Sequence, residues 1–150
     1  MPQSLAQFYA HLVFSTKNRE PIVRVAAHED LRAYLGGILR DLESPVLAAG
    51  VVSDHIHLLY RHSKNIALKK LVEEVKTGSS KWIKTLGTDY ARFHWQNGYG
   101  AFSVSASRLE AVKRYVVNQE KHHRTISFQD EFRRLLKEYN VEYDERYVWD

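Results

Sequence analysis

Two short apolar runs, residues 46–52 and 55–61, are separated only by Ser53-Asp54. A break that short joins extended segments as an antiparallel hairpin and leaves no room for a helical crossover. The hairpin also sorts side chains by face. Side chains alternate along a strand, so His55 and His57 leave one side while Ile56 and Leu58 leave the other. Two adjacent imidazoles can hold a divalent metal, and a metal beside a phosphate can polarise it for attack. A His-x-His pair on a strand is more often structural, so spacing alone leaves both readings open.

The rest of the chain supplies partners for that hairpin. Residues 5–15 read as a first strand carrying Phe8, Tyr9, Leu12, Val13 and Phe14, ended by the polar run 16–21. Residues 27–43 carry Leu31, Leu35, Ile38, Leu39 and Leu42 at helical spacing, and Gly36-Gly37 inside that helix predicts close packing. Residues 66–86 form a second helix through Leu71, Val72, Val75 and Ile83, with Lys69, Lys70, Lys76, Lys81 and Lys84 on a solvated face. A strand follows at 101–105. Ser107 and Glu110 make a capping-box pattern that starts a helix near Arg108 and carries it to 122–123. A last helix spans 128–139, and the tail 141–150 is expected to dock as a strand or extended arm.

This order predicts an α+β fold, a ferredoxin-like (RRM-like) split β-α-β sandwich. Its antiparallel sheet has helices on one face and leaves the other for ligands, with C-terminal helices added. With no repeat or linker, residues 1–150 are read as a single domain. Absence of Cys excludes disulfides, thiolate metal sites and a Cys nucleophile. A net charge of +4 leans towards an anionic partner, and 12% aromatic residues suit stacking on single strands. No run reaches the ~18 apolar residues of a membrane span, and the first residues lack a signal peptide's basic region. A cytoplasmic protein without a membrane partner is expected.

Tyr115 and Gln119 stand four apart on the predicted third helix and so share a face. A phenol with an ordinary pKa of about 10 is a poor nucleophile unless its target is made electrophilic or its proton is removed. Taken alone, Tyr115 packs and Gln119 is solvated. The basic stretch Lys121-His122-His123-Arg124 suits the negative end of a helix dipole.

In combination, these blocks resemble the single-tyrosine HUH transposases of the 200/605 insertion-sequence family over nearly the whole chain. The resemblance is carried by Asp54-His55-Ile56-His57-Leu58-Leu59, by residues 14–19 and 95–105, and by Tyr115-Val116-Val117-Asn118-Gln119-Glu120-Lys121-His122-His123-Arg124. Residues 128–136 and 143–149 complete it. It implies His55, His57 and Gln119 as ligands of Mg²⁺ or Mn²⁺, and Tyr115 as the nucleophile. It further implies cutting and rejoining of single-stranded DNA at hairpin-bearing ends through a 5′-phosphotyrosine intermediate. Such proteins act as homodimers, in which the tyrosine helix of one subunit can complete the other's histidine site. Two alternatives share the fold: a host-serving HUH endonuclease that processes chromosomal hairpins, and a non-catalytic nucleic-acid-binding domain.

Overall fold

The computed structural model describes residues 2–122 and 125–150. Four strands form one antiparallel sheet: β1 (Phe8–Ser15), β2 (Val46–Val51), β3 (His55–His62) and β4 (Gly100–Val104), in the order β2-β3-β1-β4. The hairpin of β2 and β3 forms as expected. Central β1 and β3 pair with Val13 opposite His57 and Ser15 opposite His55.

Alternation along these strands builds two different faces. Leu12, Phe14, Ile56 and Leu58 are fully buried against α1 (Val25–Asp41) and α2 (Leu68–Lys84). Leu31, Leu35 and Leu39 of α1, and Leu71, Val75 and Ile83 of α2, supply the opposing stripes. The opposite face, expected to stay open for ligands, is roofed by α3 (Leu109–Val117) and by α5 (Phe128–Glu138). Two glycines permit that close roof. A Cβ on Gly50 would lie 2.2 Å from the Val116 carbonyl oxygen, and one on Gly100 would lie 2.6 Å from the Phe132 ring.

Several local expectations changed. The Ser107–Glu110 capping box does not form, because residues Ala106–Arg108 make a 3₁₀ turn and Arg108 becomes the N-cap without a side-chain bond. Ser127 does cap α5, accepting from the Asp130 N–H at 3.2 Å. The helix through Tyr115 breaks at Asn118 (φ −95°, ψ 18°), so Gln119 opens a separate turn, α4 (Gln119–His122). His123 and Arg124 of the basic stretch lie outside the described residues. Of the two α1 glycines, Gly36 packs closely, with its Cβ position 3.2 Å from Val46, whereas Gly37 faces only the end of Arg40 at 3.9 Å.

Lys76 is not on a solvated face. Its Nζ donates to the carbonyls of Gln96, Asn97 and Gly98 at 2.6–3.0 Å and sits 5.1 Å from the Phe14 ring centroid. Burial lowers its pKa to about 8. The tail is neither strand nor extended arm: after Asp144 it forms turns that lay Val148 and Trp149 on Phe128 and Phe132. The Gly98 N–H donates to the Asp150 carbonyl (2.8 Å), anchoring its end. No described helix is long and apolar enough to cross a membrane.

Candidate active site

Strand β3 sends His55 and His57 side by side into the space under α3 and α5, as its period of two requires. Both are buried. Their outer nitrogens are occupied differently. His55 Nδ1 meets Asp54 Oδ1 at 2.6 Å, whereas His57 Nδ1 meets Nε2 of His11 at 2.7 Å. Such outer partners fix ring orientation and tautomer, leaving each Nε2 aimed at the interior of the site.

Glu131 fills that interior. It has no exposed surface, and its Oε1 lies 2.8 Å from His57 Nε2 and 3.5 Å from His55 Nε2. Its other oxygen, Oε2, accepts the Tyr115 hydroxyl. One carboxylate thus bridges both imidazoles and the phenol. Gln119 arrives from α4 with Oε1 3.4 Å from His55 Nε2, while its Nε2 donates to the Tyr115 carbonyl at 3.2 Å. Gly50 makes this approach possible, since its Cβ position lies 2.9 Å from Gln119 Cγ. All four residues singled out in the sequence therefore converge, within one chain.

His55, His57 and Glu131 each offer a donor atom, and these atoms lie within 4.8 Å of one another. Ligands in neighbouring positions around an ion with ~2.1 Å bonds lie about 3 Å apart, close to the two Glu131–imidazole separations. Two imidazoles with a carboxylate and an amide oxygen form a mixed set that suits a divalent ion and discriminates poorly among them.

Electrostatics keep the site's protons in place. Burial, then the charge of Glu131 and its hydrogen bond, push the Tyr115 hydroxyl well above the usual phenol pKa, against smaller opposing effects from Gln119 and Arg134. The phenol is thus protonated here. His11 is lowered to about 3, mainly by burial and then by His57, with Glu131 pulling the other way. It is a neutral ring, able to donate or accept at Nε2.

His11 and Glu131 were not singled out from the sequence, and each had a signal. His11 lies on the same side of β1 as Val13 and Ser15, the side that faces the histidine pair. Glu131 falls three residues after Phe128 and four before Leu135, on the apolar stripe of α5. A carboxylate on a buried stripe needs a partner. The approach through Gly50 had no comparable mark.

A family model described as Transposase IS200 like matches residues 4–119. Among solved structures, a protein of Deinococcus radiodurans R1 described as a candidate transposase is 20% identical, with a TM-score of 0.62 over 79% of this chain and 98% of that one. A REP-associated tyrosine transposase bound to a REP hairpin is 13% identical, with a TM-score of 0.59 over 82% of this chain and 74% of that one. At those identities the likeness is one of fold. No curated protein sequence matches the chain significantly.

Proposed function

The chain belongs to the IS200-like transposase family, and from that premise we propose that Tyr115 attacks a phosphodiester of single-stranded DNA beside a divalent ion held by His55, His57 and Glu131. Gln119 is read as a further oxygen ligand at the same ion. The observation that carries this reading is the Glu131 carboxylate, which touches His57 with one oxygen and the Tyr115 hydroxyl with the other. Nucleophile and ligand set are linked by a single side chain. The whole chain is read as one domain, because α5, beyond the family-matched residues, supplies Glu131.

When bound, Mg²⁺ or Mn²⁺ would supply Lewis-acid polarisation of the scissile phosphate. The chain's own groups do the rest. Glu131 Oε2 receives the phenolic proton as the Tyr115 oxygen bonds to phosphorus. The P–O3′ bond breaks, its electron pair stays on the 3′ oxygen, and that oxygen takes a proton from water to become a free hydroxyl. The 5′ side remains joined to the tyrosine, conserving the phosphoester for rejoining. His11 completes the proton arrangement. A His57 that uses its Nε2 lone pair must carry its proton on Nδ1, and neutral His11 accepts it there.

The REP-associated transposase of the same fold is bound to a hairpin, and a hairpin with a single-stranded flank is the proposed substrate here. A homodimer is proposed to hold two cut ends, each subunit keeping its own site. The test is incubation of labelled hairpin DNA with and without Mn²⁺, followed by denaturing electrophoresis. Wild type should form a covalent adduct only with the ion, and Tyr115→Phe should form none while still binding the hairpin. An adduct of undiminished yield in Tyr115→Phe would overturn the assignment.

A further inference from the structure

A cavity of about 280 Å³ opens between α3 and α5 beside Tyr115. Its lining includes Tyr115 itself and buried His11, so it reaches the candidate nucleophile from between the two roofing helices. Val112, Leu135 and Tyr139 give it an apolar surface, and the Tyr139 ring is held by stacking on Phe102 with centroids 4.7 Å apart. Arg108 and Arg134 also line it. Among the described residues neither guanidinium is engaged in an ion pair. Glu138 is a carboxylate on the same lining and disfavours an anion at its own position.

We propose that this cavity seats the nucleotide adjoining the scissile phosphate of single-stranded DNA, its base on Val112, Leu135 and Tyr139 and its neighbouring phosphate on Arg108 and Arg134. The proposal deepens the function proposed above and rests on it. An apolar surface with an aromatic ring takes any base by stacking, and guanidinium forks take phosphate oxygens. The volume lies just under the range of ~300–1,000 Å³ usual for ligand pockets, which suits one base with its phosphate outside. Position adds to composition: a nucleotide held beside Tyr115 sets its own phosphodiester within reach of the phenol. Four of the nine lining residues, Arg134, Leu135 and Glu138 of α5 and its C-cap Tyr139, lie outside residues 4–119, so the subsite is completed by a part of the chain that the family match does not include.

The experiment compares binding, by fluorescence anisotropy, of a blunt hairpin and the same hairpin with a single-stranded extension of about six nucleotides. A third probe carries an abasic extension. Arg108 and Arg134 are exposed, so Arg108→Gln and Arg134→Gln should fold. Each should weaken binding of the extended hairpin about tenfold, the size of one charge-assisted hydrogen bond, and leave the blunt hairpin within about twofold. Ala111→Trp, at an exposed position on the cavity lining, should weaken the normal extension more than the abasic one. Wild-type affinity of both arginine variants for the extended hairpin would overturn the subsite. So would equal losses on blunt and extended hairpins, which would assign the arginines to the stem. If wild type binds the extension but forms no adduct with Mn²⁺, the catalytic reading fails instead, and the subsite falls with it as a reaction site.

Discussion

Strands β1 and β3 send Leu12, Phe14, Ile56 and Leu58 to one side of the sheet and His11, Val13, His55 and His57 to the other, and both sets are buried. On the first side burial is its own reward: apolar surface leaves water against α1 and α2. On the second, burial of imidazoles is tolerated because each finds a partner, Asp54, His11 or Glu131. The same backbone therefore carries a stabilising face and a polar face. The polar face depends on α5, which brings one carboxylate to two rings and a phenol.

Substitution of adjacent residues on β3 should separate the two faces most sharply. Leu58→Ala should cost ~2–5 kcal/mol of stability in thermal or urea unfolding. Its folded molecules should still form the tyrosine adduct to within a few-fold. His57→Ala should lower Mn²⁺-dependent adduct formation by at least ~100-fold, since a ligand is lost from an open site. Equal effects of the two changes on adduct yield per folded molecule would break the distinction.

The pH response should be the next largest difference. His11 has its pKa lowered from 6.5 to about 3 in the fold. The unfolded chain therefore binds a proton there over a range in which the folded chain does not. Its contribution to stability is complete above pH 6.5 and is lost as pH falls towards 3. By pH 5 the loss should amount to about 2 kcal/mol. Urea titrations at pH 7 and pH 5, without added metal, should show this slope in wild type. His11→Gln should flatten it by that amount, and an unchanged slope would place His11 in a wetter setting.

The polar face was partly legible because strand period and helix period act at once on short segments. The pair His55 and His57 followed from alternation, and Tyr115 with Gln119 followed from a spacing of four, even though Asn118 breaks the helix between them. Helix stripes likewise placed Leu31, Leu35, Leu39 and Leu71. Most of what stayed hidden depends on contacts between distant segments, the rest on a competing local turn. A capping box is a local pattern that a 3₁₀ turn displaced, Lys76 was drawn inward by three carbonyls of a remote loop, and Gly50 matters only because α3 comes down on it. Glu131 lay between these cases: its place on an apolar stripe was visible, but its partners were not.

A comparable effect should come from the carboxylate itself. Glu131→Gln keeps the shape and one oxygen but sets an amide NH₂, which cannot accept a hydrogen bond, against the Tyr115 hydroxyl or the imidazoles, so unfolding without metal should shift by about 1–3 kcal/mol. Added Mn²⁺ at about a hundredfold its Kd should stabilise wild type by about 2.7 kcal/mol. If the variant binds about tenfold more weakly, the same concentration should stabilise it by about 1.4 kcal/mol. Calorimetric titration gives the affinities directly. Equal Mn²⁺ affinities would remove Glu131 from the ligand set and leave His55, His57 and Gln119.

The smallest expected change lies on the apolar face, which can be tightened without touching the chemistry. Gly37 is inside α1, where glycine costs roughly 0.5–1 kcal/mol relative to alanine through the freedom it loses on folding. A Cβ there meets only the flexible end of Arg40, at 3.9 Å, so Gly37→Ala should recover most of that amount. Gly36→Ala should recover less, because its Cβ would press on Val46 at 3.2 Å and the β2 side chain must yield. Neither change should alter Mn²⁺ affinity or adduct yield, since α1 and the histidines lie on opposite sides of the sheet. Thermal unfolding should rank Gly37→Ala above Gly36→Ala. A change in metal affinity in either variant would mean that the two faces are coupled through β2 and do not behave as separate layers.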